Sequence, residues 1–271
     1  MNQNRKPKKK SGVYETFTDR LNPIYVPCSN CRYCYMIPLI KRFPDKFELG
    51  FFIKRLEAKR NMKNKTFFIE TNCDIFNKNV PNKWIWDTIR YIDKYYDKSN
   101  TYCMLTKFPE RYLDFIDFIP KDWLLGLTLE TNYKELIRMY SKAPLPHERY
   151  KSMQKVRETH KNIYVMVEPI LDFDKGFFYN LLISLDAKYY LFGANSLKSI
   201  KLKEPDTDKI LTLINRLKMQ NKIVITKDNM KRLGIETKIG YLKKNVSDFR
   251  FETEEKPKLT TTLKKYMEMS D

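Results

Sequence analysis

Short apolar runs alternate with longer segments of helical spacing along most of this chain. Runs at 66–70 (TFFIE), 101–106 (TYCMLT), 123–129 (WLLGLTL), 162–168 (NIYVMVE), 188–193 (KYYLFG) and 222–226 (KIVIT) are brief and rich in β-branched or aromatic residues, which predicts buried strands. Between them, 81–97, 109–118, 146–160, 175–185 and 205–220 repeat apolar residues with a helical period, and Pro81, Pro109 and Pro205 stand at helix-start positions. Residues 45–62 share that spacing, interrupted by Gly50, and predict a further helix; a weaker strand is read near 13–19. Alternation of this kind implies βαβ units and a parallel sheet. Six or seven such units suit a partial or complete (β/α) barrel, whose chemistry sits at the C-terminal ends of the strands.

Those ends carry Glu70-Thr71-Asn72-Cys73-Asp74, Thr106-Lys107, Glu130-Thr131-Asn132, Glu168-Pro169, Gly193-Ala194-Asn195-Ser196 and Lys227-Asp228. Loops are polar where strands stop, so one such residue alone decides nothing. The recurrence of Glu after three apolar strands is more informative, because a carboxylate at a barrel mouth suits ribose hydroxyls or an ammonium group. Lys107 and Lys227 suit a phosphate or carboxylate, or extend their stems to solvent. With seven glycines and neither a GxGxxG nor a Walker loop, a nucleotide-binding fold loses weight.

Composition sets the class. At 42% hydrophobic and 14% aromatic, the 271 residues make a folded chain rather than a disordered one. The net charge is +19, of which residues 1–10 carry five basic side chains and no acidic one. The expected organisation is a disordered basic arm at 1–11, a barrel at 12–235 and a C-terminal extension at 236–271. A basic folded body points to a polyanionic partner, nucleic acid first, although a strongly AT-biased genome would enrich Lys as well. No stretch approaches the ~18 apolar residues of a membrane span, and no apolar region follows MNQNRKPKKK as in a secretory signal, so a cytoplasmic protein without a membrane partner is expected.

The cysteines change the picture. Cys28, Cys31 and Cys34 cluster in NPIYVPCSNCRYCYM, while Cys73 and Cys103 stand apart. Pro23 and Pro27 disfavour a helix, leaving a loop that can gather three thiolates. Structural zinc wants four closed ligands. There is no second CxxC, and the two histidines, His147 and His160, are remote and read as surface residues. A [4Fe–4S] cluster, with three irons held and one left open, suits three thiolates better; zinc and no metal stay as alternatives. Cys103 falls inside a strand and reads as core.

The loop, with Tyr33 just before its third cysteine, resembles the radical S-adenosylmethionine (SAM) superfamily. The segments NPIYVPCSNCRYCY, TNCDIF, LTKFPER, GLTLETN, PHERYKSM, VMVEPIL, FGANS and VITK, spread over residues 20–234, are similar to a phage-associated branch distantly like spore photoproduct lyase. One departure stands out: the superfamily's usual CxxxCxxC is CxxCxxC here. The resemblance implies an α/β fold, a partial (β/α)6-type radical SAM barrel with a short C-terminal extension. It implies that Cys28, Cys31 and Cys34 hold a [4Fe–4S] cluster whose open iron chelates the amino and carboxylate groups of SAM. One electron, from an external donor, then cleaves SAM to a 5′-deoxyadenosyl radical that abstracts hydrogen from the substrate. By position it puts Tyr33 near the adenine and Glu70-Thr71-Asn72 in the methionine-amine-binding segment. Glu130, Asn132, Arg149 and Glu168 become candidates for ribose and carboxylate contacts, Arg149 through its guanidinium fork or else as an exposed helix residue. Cys73 is a candidate catalytic hydrogen donor, set against a buried structural thiol. The charge then implies a nucleic acid or nucleotide substrate. Two other readings remain: a non-catalytic nucleic-acid-binding protein with a structural metal site, and a radical SAM enzyme acting on a peptide or small metabolite.

Overall fold

A computed structural model describes residues 15–27, 31–197 and 199–252; the basic arm at 1–11, Cys28 and the last part of the expected extension lie outside them. The strands are β1 (Asp19–Leu21), β2 (Ile24–Tyr25), β3 (Gly50–Phe51), β4 (Thr66–Ile69), β5 (Thr101–Thr106), β6 (Leu124–Thr128), β7 (Ile163–Val167), β8 (Tyr189–Phe192) and β9 (Ile223–Thr226). The helices are α1 (Met36–Arg42), α2 (Lys54–Glu57), α3 (Asn82–Tyr95), α4 (Lys134–Tyr140), α5 (Pro146–Thr159), α6 (Lys175–Ser184) and α7 (Thr207–Met219). Seven strands form one sheet in the order β1-β4-β5-β6-β7-β8-β9, every neighbouring pair parallel. The sheet curls into a half-barrel, the partial (β/α) barrel expected from the alternation.

From β4 to β9 both faces of this sheet are buried, which is why those strands read as apolar runs; β1, at the edge, carries Asp19 and an exposed Arg20. Phe67, Tyr102, Met104, Leu125, Leu127, Val165 and Tyr190 face outward to the helices. Their neighbours Phe68, Cys103, Leu124, Tyr164, Met166, Tyr189, Leu191 and Ile225 face inward and fill the barrel. Two-residue alternation thus sorts the strands into two cores. The Tyr164 ring fits the inner space because one inward position has no side chain. Gly126 is paired with Tyr164 across β6 and β7, and a Cβ at 126 would lie 2.3 Å from the tyrosine ring. Gly126→Ala is therefore expected to destabilise the protein by about 1–3 kcal/mol through overpacking; a urea denaturation midpoint unchanged from the native protein would show that the ring shifts freely.

Three predicted elements differ in the structure. Residues 45–62 are not one helix: β3 pairs antiparallel with β2, Phe52 N–H donates to the Pro23 carbonyl, and only the single turn of α2 follows. Apolar residues at 47, 49, 51, 52, 53 and 56 make no single helical stripe, and the sheet-like pairing buries Ile24 and Tyr25. At 109–118 the chain makes a 3-10 turn (Pro109–Tyr112) and continues mainly with i→i+3 bonds such as Phe118 N–H to Phe115 O, although its buried positions, Tyr112, Phe115, Ile116 and Ile119, keep the spacing from which a helix is predicted. The first strand of the sheet is at Asp19–Leu21, at the end of the predicted 13–19 stretch.

After β9 the chain crosses the opposite end of the barrel from the strand C-termini. Leu242 and Phe249 enter the inner core. The Leu242 carbonyl accepts the Thr66 hydroxyl at 2.8 Å, the Lys243 carbonyl accepts the Tyr189 hydroxyl at 2.9 Å, and the Lys244 N–H donates to the Thr101 hydroxyl oxygen at 3.3 Å. All three partners stand at the starts of strands, so residues 239–252 stopper the barrel base. Among the described residues no helix is long and apolar enough to cross a membrane.

Candidate functional site

Among the described residues the other end of the barrel is open. A cavity of about 460 Å³ lies at the C-terminal strand ends, within the range of small-molecule sites. The strand-end residues Glu70, Thr71, Asn72, Cys73 and Glu168 line it, and so do Cys31, Tyr33 and Cys34 of the cysteine loop. Topology brings these together: each belongs to a loop leaving the same edge of one parallel sheet.

The cysteine loop is fastened to the barrel at three places. Cys31 Sγ lies 2.9 Å from Ser141 Oγ, and Arg32 N–H donates to the Tyr140 carbonyl at the end of α4. Tyr33 donates its hydroxyl to Glu130 Oε1 at 2.6 Å, after β6. Tyr35 donates to the Thr71 carbonyl, after β4. Nothing in the sequence flagged Ser141, which lies 110 residues from Cys31 and meets it only through α4.

Glu130 is the hub beneath this loop. Its Oε2 accepts from Arg149 Nη1 at 2.7 Å, and its Oε1 accepts from both Tyr33 and Lys107. Arg149 also donates to the Thr128 and Pro144 carbonyls, and among the described residues its Nη2 has no partner. Burial alone would raise the Glu130 carboxyl; the charges of Arg149 and Lys107 overcome it and hold the group well below the usual carboxylate range. Burial and then the neighbouring Glu130 charge push the Tyr33 hydroxyl far up, so it stays a donor. Glu130 and Arg149 are both wholly enclosed. They stand behind the cavity wall, and Arg149 meets a carboxylate of its own chain. Asn132 faces away as well, accepting the Asp174 N–H at 2.9 Å at the start of α6.

A second carboxylate–lysine pair stands across the mouth. Glu168, followed by a cis proline, holds Lys227 at 2.7 Å. Gly193, after β8, makes room: a Cβ there would come within 2.4 Å of the Glu168 carboxyl carbon. Both strand-end lysines thus meet carboxylates from other strands rather than reaching solvent.

Glu70 sits at φ 64 and turns back on the chain. Its oxygens accept the N–H groups of Ile24 at 2.9 Å and Asn72 at 3.0 Å, stapling the end of β4 to β2. Desolvation by burial outweighs those bonds and lifts its carboxyl to about 8. A carboxyl raised in the folded state contributes stability that is fully present below the ordinary pKa of about 4.5 and is lost as the pH rises toward 8. Native protein should therefore lose denaturation midpoint across that window, and Glu70→Gln should flatten the slope; equal slopes would mean that Glu70 is ionised when folded. The Cys73 thiol, raised by burial and by nearby Glu70, is held protonated. Cys103 lies wholly inside the barrel. His147 is exposed, but His160 is not the surface residue expected: it is buried, its Nε2 is 2.8 Å from the Trp123 carbonyl, and burial lowers its pKa.

The donor set of the loop is thiolate, which suits iron–sulfur ligation. Among the described residues no three acidic, His or Cys side chains are grouped to hold a metal ion, so a third thiolate would come from Cys28, three positions before Cys31. With two thiols on the wall of a ligand-sized cavity and the loop pinned at three points, the residues present fit the group.

No family model matches the chain, and no curated relative matches it. Solved structures do. A cysteine-to-alanine variant of spore photoproduct lyase with dinucleoside spore photoproduct matches at 12% identity and a TM-score of 0.50, over 91% of this chain and 72% of that one. A double variant of the lyase with bound AdoMet and dinucleoside spore photoproduct matches at 14% identity and a TM-score of 0.46, over 70% of this chain and 58% of that one. This chain thus spans 58% and 72% of the length of these two lyase chains. At such identities the likeness is one of fold: the curled parallel half-barrel described above is shared with spore photoproduct lyase.

Proposed function

We propose that this protein is a radical SAM enzyme acting on a nucleic acid or nucleotide. One observation carries the reading: Cys31 and Cys34 share a single cavity with the strand-end residues of a parallel half-barrel. The similarity of fold to spore photoproduct lyase supports it. The narrower resemblance to a phage-associated branch rests on the sequence segments alone. Cys28, Cys31 and Cys34 would hold a [4Fe–4S] cluster. Such a cluster, with SAM bound and an external donor of one electron, would supply the reductive cleavage chemistry of the radical SAM reaction.

The chain's own residues do the rest. Tyr33, locked by Glu130 and Lys107, fixes the middle of the loop, so that the thiols keep one orientation. Thr71 and Asn72 offer polar groups at the wall, while Glu70, committed to backbone amides, shapes the turn that presents them. The Glu168–Lys227 pair puts a carboxylate and an ammonium at the far side of the mouth, where ribose hydroxyls and a carboxylate find partners. Cys73, a protonated thiol on the wall, would give its hydrogen atom to a substrate radical, and the thiyl radical left on its sulfur would be restored by one electron from the external donor and a proton from solvent. The stoppered base leaves the mouth as the route by which ligands reach this cavity. The excess of basic residues, +19 over the chain, supports a polyanionic substrate, and a cytoplasmic setting would keep the thiols reduced.

The test is anaerobic reconstitution of the full chain with iron and sulfide, followed by dithionite and SAM. The expected result is a broad absorption near ~400 nm typical of thiolate-ligated clusters and formation of 5′-deoxyadenosine. Stoichiometric zinc with neither signal would replace this reading with a binding protein carrying a structural metal.

A further inference from the structure

Of residues 35–49, which leave the cavity rim through α1 toward β3, only Met36 is buried. The remainder is not the polar surface such exposure usually implies. Tyr35, Ile37, Leu39, Phe43 and Leu49 are 37% to 64% exposed. A seven-residue helix that buries one side chain gains little from the barrel it leaves, and apolar surface kept in water in this way marks an interaction face.

The chemistry around it selects the partner. Arg42 and Lys46 stand 5.0 and 4.8 Å from the centre of the Phe43 ring, and Arg55 stands 4.0 Å from that of Phe52. Residues 32–60 hold eight lysines and arginines against three acidic residues. Rings flanked by cations are what single-stranded nucleic acid uses: bases stack on the aromatic faces and phosphates take the charges. A purely apolar partner would leave those cations desolvated and unpaired. The face also runs into the cavity, because Tyr35, Met36 and Arg20 line the wall.

We propose that the 35–55 rim is the track along which a single-stranded nucleic acid approaches the cavity, with Phe43 as a stacking platform and Arg42 and Lys46 as phosphate contacts. This rests on the nucleic-acid reading above. Duplex substrates would have to expose unpaired bases locally in order to use it.

The test needs no cluster. Binding of a fluorescein-labelled mixed-sequence single-stranded DNA oligonucleotide, and of the matched RNA, is measured by anisotropy on the full chain across a salt series. Phe43→Ala should weaken binding roughly 5- to 150-fold, as loss of one stacked base does. Arg42→Ala with Lys46→Ala should reduce the slope of log affinity against log salt by about 1.4, close to 0.7 for each phosphate released. These side chains are exposed, so the variants should keep the native circular dichroism spectrum. Native binding that all three substitutions leave unchanged would overturn the track while sparing the nucleic-acid reading. No native binding to either oligonucleotide would overturn both. A native protein that self-associates, and that Phe43→Ala renders monomeric without affecting oligonucleotide binding, would reassign the face to a second copy of this chain.

Discussion

Glu130→Ala is expected to cost the folded protein about 3–5 kcal/mol, because it removes one partner of a fully buried ion pair. Arg149 would keep only the Thr128 and Pro144 carbonyls, with its charge uncompensated in the core. Lys107 and the Tyr33 hydroxyl would lose the same acceptor. Glu130→Gln separates charge from volume: it keeps an acceptor for Tyr33 but gives Arg149 no opposite charge, and it should also be strongly destabilising. Urea denaturation at constant slope measures both. If the Gln variant matched the native midpoint, the carboxylate's charge would not be what holds the site. A cycle with Arg149→Met adds a check, since losing both charges should cost less than the sum of the single losses.

Cys31→Ala is expected to abolish iron retention in the reconstituted full chain. Two thiolates would remain where three are needed to hold a cluster with an open iron. Iron and acid-labile sulfide should fall to background, and the absorption near ~400 nm should vanish. Cys34→Ala should do the same. Cys103→Ala supplies the control, since that thiol is enclosed in the barrel interior among apolar neighbours. Undiminished iron in Cys31→Ala would overturn the ligand assignment, whatever the protein's activity.

The half-barrel was legible because β4 to β8 are buried on both faces and so read as compact apolar runs, as does β9, whereas β1, with Asp19 and Arg20, does not. The helices that failed to read were short or obscured. In α4, KELIRMY begins two residues after the strand-end run Glu130-Thr131-Asn132, and seven residues are too few to show a helical period. In α1, Pro38 and the neighbouring cysteine loop hid seven helical residues that bury almost nothing. The site was legible residue by residue but not as pairs. Lys107 and Lys227 could be recognised as strand-end cations, yet their partners Glu130 and Glu168 come from other strands, a pairing that only sheet order can specify. Arg149 was recognisable as a carboxylate binder; that its carboxylate belongs to its own chain depends on where α5 packs. His160 carried no mark of burial, because the Trp123 carbonyl it meets lies 37 residues away.

The stopper at the base has a consequence for synthesis. The inner core starts with Phe17 and with Phe68 of β4, yet Leu242 and Phe249, which complete it, follow the last strand of the sheet. Glu15 likewise accepts the N–H of Asp228, 213 positions later. A nascent chain that has emitted all seven strands of the sheet still has a barrel open at both ends. It would hold water against Phe68, Tyr164 and Tyr189 until residues 242–249 clear the ribosome, so dry packing of the interior follows the last strand of the sheet and waits on the segment after it.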